Sequence, residues 1–196
     1  MIFCKAPVPG QVKTRLLTEL SAVDAAEIHK ELSLRTIRLA TQNCLCAVQL
    51  WCAPSTEHPF FVSLAAIYPI LLRQQQGVEL GEKMQNAFCS AFNQYSRALL
   101  VGCDCPSLTA HDLDYALTAL ESPASCVLAP AEDGGYVLIG LNQLHPELFS
   151  GMPWGTEHVF ELTRARVDQL HLGYFELSQQ WDLDRSSDLI RYLSSR

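Results

Sequence analysis

An α/β layered fold with a mostly parallel sheet is the architecture this sequence predicts. Three observations carry it. Short apolar runs of strand length alternate with longer stretches of helical periodicity along the chain. One of those runs, Ala98–Gly102, is apolar from end to end, as a strand covered on both faces should be. No repeat, low-complexity tract or linker interrupts the alternation. At 196 residues the chain is expected to form one domain, residues 1–196.

The elements follow in order. Ile2–Lys5 reads as a short strand stub and Ala6–Lys13 as a Pro/Gly loop. Ser21 with Asp24 three residues on marks a helix start, and Ala25, Ile28, Leu32, Thr36 and Leu39 continue it as an apolar stripe. Cys46–Cys52 reads as a strand, Phe60–Ile67 as a short helix and Ile70–Gln74 as a strand. Leu80, Met84, Ala87, Phe88, Ala91 and Tyr95 form the next helical face, followed by the strand Ala98–Gly102. Thr109 with Asp112 opens a helix whose apolar face is Leu113, Ala116, Leu117 and Leu120. Ser125–Pro130 and Tyr136–Leu141 are strands on either side of the turn Glu132-Asp133-Gly134-Gly135. Helices are expected around Thr156–Arg166 and Ser186–Leu193, with a strand near Leu170–Leu177.

Composition narrows the function. Hydrophobic residues make up 48% and charged residues 18%, which excludes a disordered chain. Lys and Arg number 14 against 21 Asp and Glu, a net charge of −7, so broad binding to nucleic-acid phosphates is not expected. The longest apolar stretch, Phe60–Leu72, is interrupted by Ser63, Tyr68 and Pro69 and is too short to span a bilayer. No charged leader with an apolar stretch of signal length opens the chain, so a cytoplasmic protein without a membrane partner is expected. The eight cysteines read as reduced small hydrophobes, with Cys4, Cys89 and Cys126 inside apolar runs. Cys44/Cys46 and Cys103/Cys105 are C-x-C pairs without finger-like spacing, so structural zinc is not expected.

Parallel sheets bind ligands at the carboxyl ends of their strands, so the segments just after strands carry the chemistry. The loop after the first strand gathers Lys5, Lys13 and Arg15 around Pro7, Pro9 and Gly10. It reads either as a phosphate site of backbone N–H groups and cations or as a solvated basic loop, and it lacks P-loop spacing. Asp104 follows a buried strand that ends in glycine, and is either one of the few carboxylates that Mg²⁺ needs or the cap of a turn. Asp133-Gly134-Gly135 lets a ligand approach the backbone, or is a plain hairpin turn. Near the last helix, Asp184 suits the helix N-terminus and Asp182 is free to be a second metal ligand. His29, His58, His111, His145, His158 and His171 read as surface or packing residues, and neither G-x-S-x-G nor G-x-G-x-x-G occurs.

Taken together, Phe3–Leu16, Gly77–Met84, Gly102–Leu108, Asp133–Leu141 and Trp154-Gly-Thr156 resemble the motifs, in order, of the bacterial GT-A-type "selenodomain-associated transferase" family of nucleotide-diphospho-sugar transferases. The guanylyltransferases for 2-phospho-lactate and the molybdenum cofactor are more distant relatives. The resemblance covers nearly the whole chain. It implies a three-layer α/β/α Rossmann-like GT-A fold with a mixed, mostly parallel sheet, a nucleoside-diphosphate sugar or triphosphate donor, and Mg²⁺ or Mn²⁺. It puts Ala6, Pro7, Gly10, Lys13, Arg15 and Lys83 on the donor side, although members commonly carry Arg at position 83, whose fork geometry Lys lacks. It puts Asp104 at the metal, for which Asp182 is the candidate second ligand on the residue reading above. Asp133, Gly134, Gly135, Tyr136, Trp154 and Thr156 fall on the acceptor or sugar side. Members also carry a few more residues before the Phe3 motif, which implies a first strand cut short and a weakened sheet edge.

The expected reaction is metal-dependent transfer of a glycosyl group to a small-molecule acceptor. Lys13 would support the departing phosphates and Asp133 would accept the proton of the acceptor hydroxyl. Nucleotidyl transfer to a phosphorylated small molecule, and nucleotide binding without catalysis, are the alternatives.

Overall fold

The structure, a computed structural model, describes residues 1–42, 46–121 and 125–194. Seven strands form one sheet: β1 Ile2–Lys5, β2 Val48–Ala53, β3 Ile70–Gln74, β4 Ala98–Gly102, β5 Cys126–Pro130, β6 Tyr136–Leu141 and β7 Tyr174–Glu176, in the order β3-β2-β1-β4-β6-β5-β7. All neighbours pair in parallel except β6, which is antiparallel to both β4 and β5. Among the described residues six α-helices complete it: α1 Ala22–Thr41, α2 Pro59–Ile67, α3 Leu80–Phe92, α4 Ala110–Ala119, α5 Val159–Gln169 and α6 Ser186–Ser194. This is the expected three-layer α/β/α fold with a mixed, mostly parallel sheet.

The layers follow from the period of two along each strand. Ile2 and Cys4 of β1 join Leu50, Val101 and Val127 on one face, under Ile37 of α1, Phe61 of α2 and Leu113 of α4. Phe3 points the other way and meets Trp51, Leu100 and Ile139 under Met84 and Phe88 of α3 and Phe160 of α5. A third cluster, Leu16, Leu32, Leu183, Leu189 and Tyr192, fastens α6 to α1. Two predicted helix starts hold at atomic detail. The Ser21 hydroxyl accepts from the Asp24 N–H, and Thr109 with Asp112 makes a reciprocal capping box.

Several expectations need correction. β1 is not an edge: β2 and β4 flank it, and the Met1 ammonium donates to the Leu99 carbonyl at 2.6 Å. β2 begins at Val48 rather than Cys46, because Cys46 and Ala47 lie exposed before the pairing starts. α5 begins at Val159, since residues 153–158 turn back on themselves through Thr156 N–H to the Pro153 carbonyl. It runs on to Gln169, and Leu170 caps it, so β7 keeps only three residues. Cys89 is exposed on α3, not buried in an apolar run, while Cys44 lies outside the described residues. Among the described residues no helix is long and apolar enough to cross a membrane.

Candidate active site

The antiparallel β6 matters for the site. Its first residue, Tyr136, lies at the edge where the parallel strands β1 and β4 end. The turn before Tyr136, the loop after β1 and the Asp104 turn therefore share one rim. After β7 the chain crosses that rim. Gln180 N–H donates to the Pro130 carbonyl, Glu132 N–H to the Gln180 carbonyl and Leu183 N–H to the Asp104 carbonyl. This crossing brings Asp182 and Asp184 to the site.

Asp104 is held from beneath. Its Oδ1 lies 3.0 Å from Lys13 Nζ and 3.6 Å from His29 Nδ1, and its side chain is 48% exposed. The partial burial opposes ionisation, but the Lys13 ammonium and the His29 imidazole outweigh it and hold the carboxyl well below the usual range. Lys13 is itself buried, donates to the Leu183 carbonyl at 2.5 Å and sits in the left-handed region at φ 50°. Its ammonium faces inward to Asp104 rather than outward to a ligand. His29 packs in the core as expected, and it does so directly behind Asp104. It is buried, its Nε2 lies 2.9 Å from the Lys5 carbonyl, and only a protonated Nε2 can donate to that oxygen. Burial lowers the His29 pKa, but the hydrogen bond to Asp104 and neighbouring charges give a net rise, which favours a second proton on Nδ1. No motif marked His29; its only signal was a polar residue on the buried stripe of α1.

Cys103 and Cys105 are buried beside Asp104, as expected of packing residues, and the contact to Cys4 together with burial pushes the Cys103 thiol up. Cys4, His29 and Cys103 form the one group of three convergent Cys, His or carboxylate donors among the described residues. It is a soft set behind Asp104, not a hard oxygen site.

A Mg²⁺ or Mn²⁺ ion of the kind the fold family uses would need oxygen donors, and two residues fit. Every contact to the Asp104 carboxylate is to Oδ1, which leaves Oδ2 without a partner among the described residues. Asp182 accepts no side-chain hydrogen bond among them either, and its carboxyl is pushed up to about 7 by burial, then by the charges of Asp104 and Asp133. A carboxylate raised by burial and by its own kind and left unpaired is relieved by a cation. One or two carboxylates with phosphates and waters are the ordinary Mg²⁺ set.

Asp184 does not serve the last helix. Its carboxylate pairs with Arg15, and Asp188 accepts from the Asp184 and Arg185 N–H groups instead. On the donor side, the Ala6 N–H is spent on the Ala53 carbonyl and Pro7 has none to give. The N–H groups of Gly10, Val12 and Lys13 have no acceptor among the described residues, and Gly10 turns the chain at φ +79°. Lys83 is half-buried on α3 and is not among the residues lining the cleft.

The opposite side is a cavity of about 200 Å³. Asp133, Gly135, Tyr136, Trp154, Thr156 and Asp182 line it together with Phe3, Leu80, Met84 and Leu100. Tyr136 and Trp154 meet edge to face at 6.4 Å. The Tyr136 hydroxyl is buried near Thr163 and Cys126 and makes no hydrogen bond of good geometry among the described residues. Asp133 is exposed, and its Oδ1 accepts the Gly135 N–H at 2.9 Å. The turn closes the β5–β6 hairpin, and Asp133 and Gly135 line the cavity.

Two glycines let these segments meet. A Cβ on Gly134, at φ +86°, would lie 2.1 Å from the Glu157 carbonyl oxygen, where Phe160 N–H donates back to the Gly134 carbonyl. A Cβ on Gly81 would lie 2.4 Å from the Phe149 carbonyl oxygen and 2.6 Å from Trp154 Nε1. Gly81→Ala is therefore expected to cost about 1–3 kcal/mol through overpacking. The same change should displace Trp154. A lowered melting temperature with altered tryptophan emission checks this; an unchanged spectrum would show that Gly81 does not seat Trp154.

The profile of the family described as "Uncharacterized protein conserved in bacteria (DUF2064)" matches residues 36–156. Among curated proteins, none matches. A solved structure from Desulfovibrio desulfuricans G20, provisionally named a nucleotide-diphospho-sugar transferase, is 28% identical, with a TM-score of 0.88 over 100% of this chain and 86% of that one. A cytidylyltransferase from Leptospira borgpetersenii is 12% identical, with a TM-score of 0.55 over 90% of this chain and 74% of that one. A glucosyl-3-phosphoglycerate synthase from Mycobacterium tuberculosis, in complex with Mn²⁺, UDP and glucosyl-3-phosphoglycerate, is 9% identical, with a TM-score of 0.51 over 99% and 75%. The two distant likenesses speak to fold alone.

Proposed function

The chain belongs to the DUF2064 family of bacterial proteins, within the superfamily of nucleotide-sugar and nucleotidyl transfer enzymes, and from that premise we propose that it transfers a glycosyl group from a nucleoside-diphosphate sugar to a small-molecule acceptor with the help of Mg²⁺ or Mn²⁺. The observation that carries the reading is the pairing of a free Asp104 Oδ2 with the unpartnered Asp182 carboxylate at the strand ends, beside the open N–H groups of the first loop.

The roles follow from position. Asp104 and Asp182 would hold the metal, which when bound neutralises charge on a departing diphosphate. The N–H groups of Gly10, Val12 and Lys13, with the exposed Arg15, would receive phosphate oxygens. Lys13 and His29 act through Asp104: their charges keep it ionised and hold its Oδ1, which leaves Oδ2 for a metal. Asp133 would take the acceptor's proton. Its Oδ1 is anchored by Gly135, its other oxygen has no partner among the described residues, and it stands at the cavity wall. That carboxylate favours glycosyl transfer over nucleotidyl transfer, because a phosphate nucleophile is already ionised and needs no base.

Calorimetry with UDP, GDP, ADP and dTDP, their sugar conjugates and the four nucleoside triphosphates, with and without Mg²⁺ or Mn²⁺, tests the reading. Metal-dependent binding of one nucleoside diphosphate and its sugar is expected. Triphosphate turnover that releases pyrophosphate would replace glycosyl transfer by nucleotidyl transfer.

A further inference from the structure

The cavity beside Asp133 has a charge character that none of the motifs described. Its floor is apolar, built from Phe3, Met84 and Leu100, and the Tyr136 and Trp154 rings wall one side. Its charged lining residues are Asp133 and Asp182; among the described residues that line it there is no Lys, Arg or His. We infer that this cavity takes an uncharged, hydroxyl-bearing ring of about monosaccharide size and excludes a substrate carrying a phosphate or carboxylate there. The inference rests on the proposed transfer reaction for its setting, but its physics is local.

Size and surface set the first half. A volume of about 200 Å³ corresponds to some six or seven waters, enough for one small ring and not for two. Aromatic walls over an apolar floor suit the C–H faces of such a ring, while Asp133 and the Thr156 oxygen, whose hydrogen is donated to the Pro153 carbonyl, can accept from its hydroxyls. Charge sets the second half. A divalent cation at Asp104 and Asp182 would be offset in turn by the diphosphate of the donor, which leaves Asp133 as the charge that a second substrate meets. An anion entering there would lose its hydration, meet a like charge and find no cation to pair with.

Matched pairs test this without any donor: glucose and glucose 6-phosphate, ribose and ribose 5-phosphate, glycerol and glycerol 3-phosphate. Each is titrated into the full chain in EDTA, where no uncompensated cation at Asp182 can draw in the ester, at constant ionic strength, by saturation-transfer NMR and tryptophan fluorescence. We expect at least one neutral member to bind, and its phosphate ester to bind at least tenfold more weakly. Thr156→Lys, with folding checked by circular dichroism, should reverse the order of that pair by supplying the missing cation. The inference is overturned if no neutral probe binds, if an ester binds as tightly as its partner, or if Thr156→Lys leaves the order unchanged. Nucleoside-diphosphate binding is measured separately, so loss of the transfer reading and loss of this inference are distinct results.

Discussion

Asp104→Asn removes metal-dependent binding of nucleoside diphosphates by at least ~100-fold while the chain stays folded. Loss of a residue that merely orients a metal ligand already costs about 10–100-fold, so loss of the ligand itself should cost at least as much. The amide keeps the shape of the side chain and its oxygen can still accept from Lys13. What it loses is the negative charge between two cationic groups, both of them buried. The variant should therefore also lose about 1–3 kcal/mol of stability, the usual worth of a hydrogen bond to a charged group. Calorimetry with and without Mn²⁺, beside a thermal melt, separates the two effects. Retained metal-dependent binding in a folded Asp104→Asn protein would take Asp104 out of the site.

Asp182 gives the second large effect, and its sign is opposite. Its carboxyl titrates near 7 in the folded chain against 3.8 when free. Below 3.8 both states hold the proton; between the two values only the folded state does. Stability must then fall as pH rises from about 4 to about 7, and stay at the lower level above that. Asp182→Asn removes the penalty. In EDTA at pH 8 it should recover roughly 1–2 kcal/mol and melt about 2–8 °C above the parent, with the difference vanishing at pH 4. Metal affinity behaves conversely. In the parent, binding displaces a proton below pH ~7 and tightens as pH rises to that point; in Asp182→Asn it is weak at every pH. Melts across pH in EDTA, paired with Mn²⁺ titrations in two buffers of different ionisation enthalpy, measure both. An identical pH slope in parent and variant would mean that Asp182 carries no such burden.

The two carboxylates share a neighbourhood yet titrate in opposite directions, and the sequence could not have separated them. Asp104 has Lys13 and His29 behind it; Asp182 has Asp104 and Asp133 before it. Those groups come from β1's loop, α1, the turn after β4, the β5–β6 turn and the crossing after β7, with Lys13 and Asp104 themselves 91 positions apart. Local spacing predicts strands, caps and turns because those depend on neighbours within a few residues. His29 shows the limit most plainly. Along the chain it is one polar residue on a helix; its role exists only because β1 runs beside that helix and ends at Lys5. Lys13 shows a second limit. A basic residue in a Pro/Gly loop reads as a ligand for phosphate, whereas the left-handed turn at that position sends its ammonium inward.

By itself, then, the sequence determined the alternation of layers, the strand Ala98–Gly102, the helix starts at Ser21 and Thr109 and the five motif segments, because periodicity and capping are short-range properties of the chain. Tertiary structure alone decided that β1 is an interior strand, that β6 reverses so its turn joins the rim, and that Asp182 crosses to face Asp104. It also decided which charge lies beneath which. Those outcomes depend on long-range hydrogen bonding and on burial, and a carboxylate's chemistry is set by what is buried beside it rather than by what precedes it in the chain.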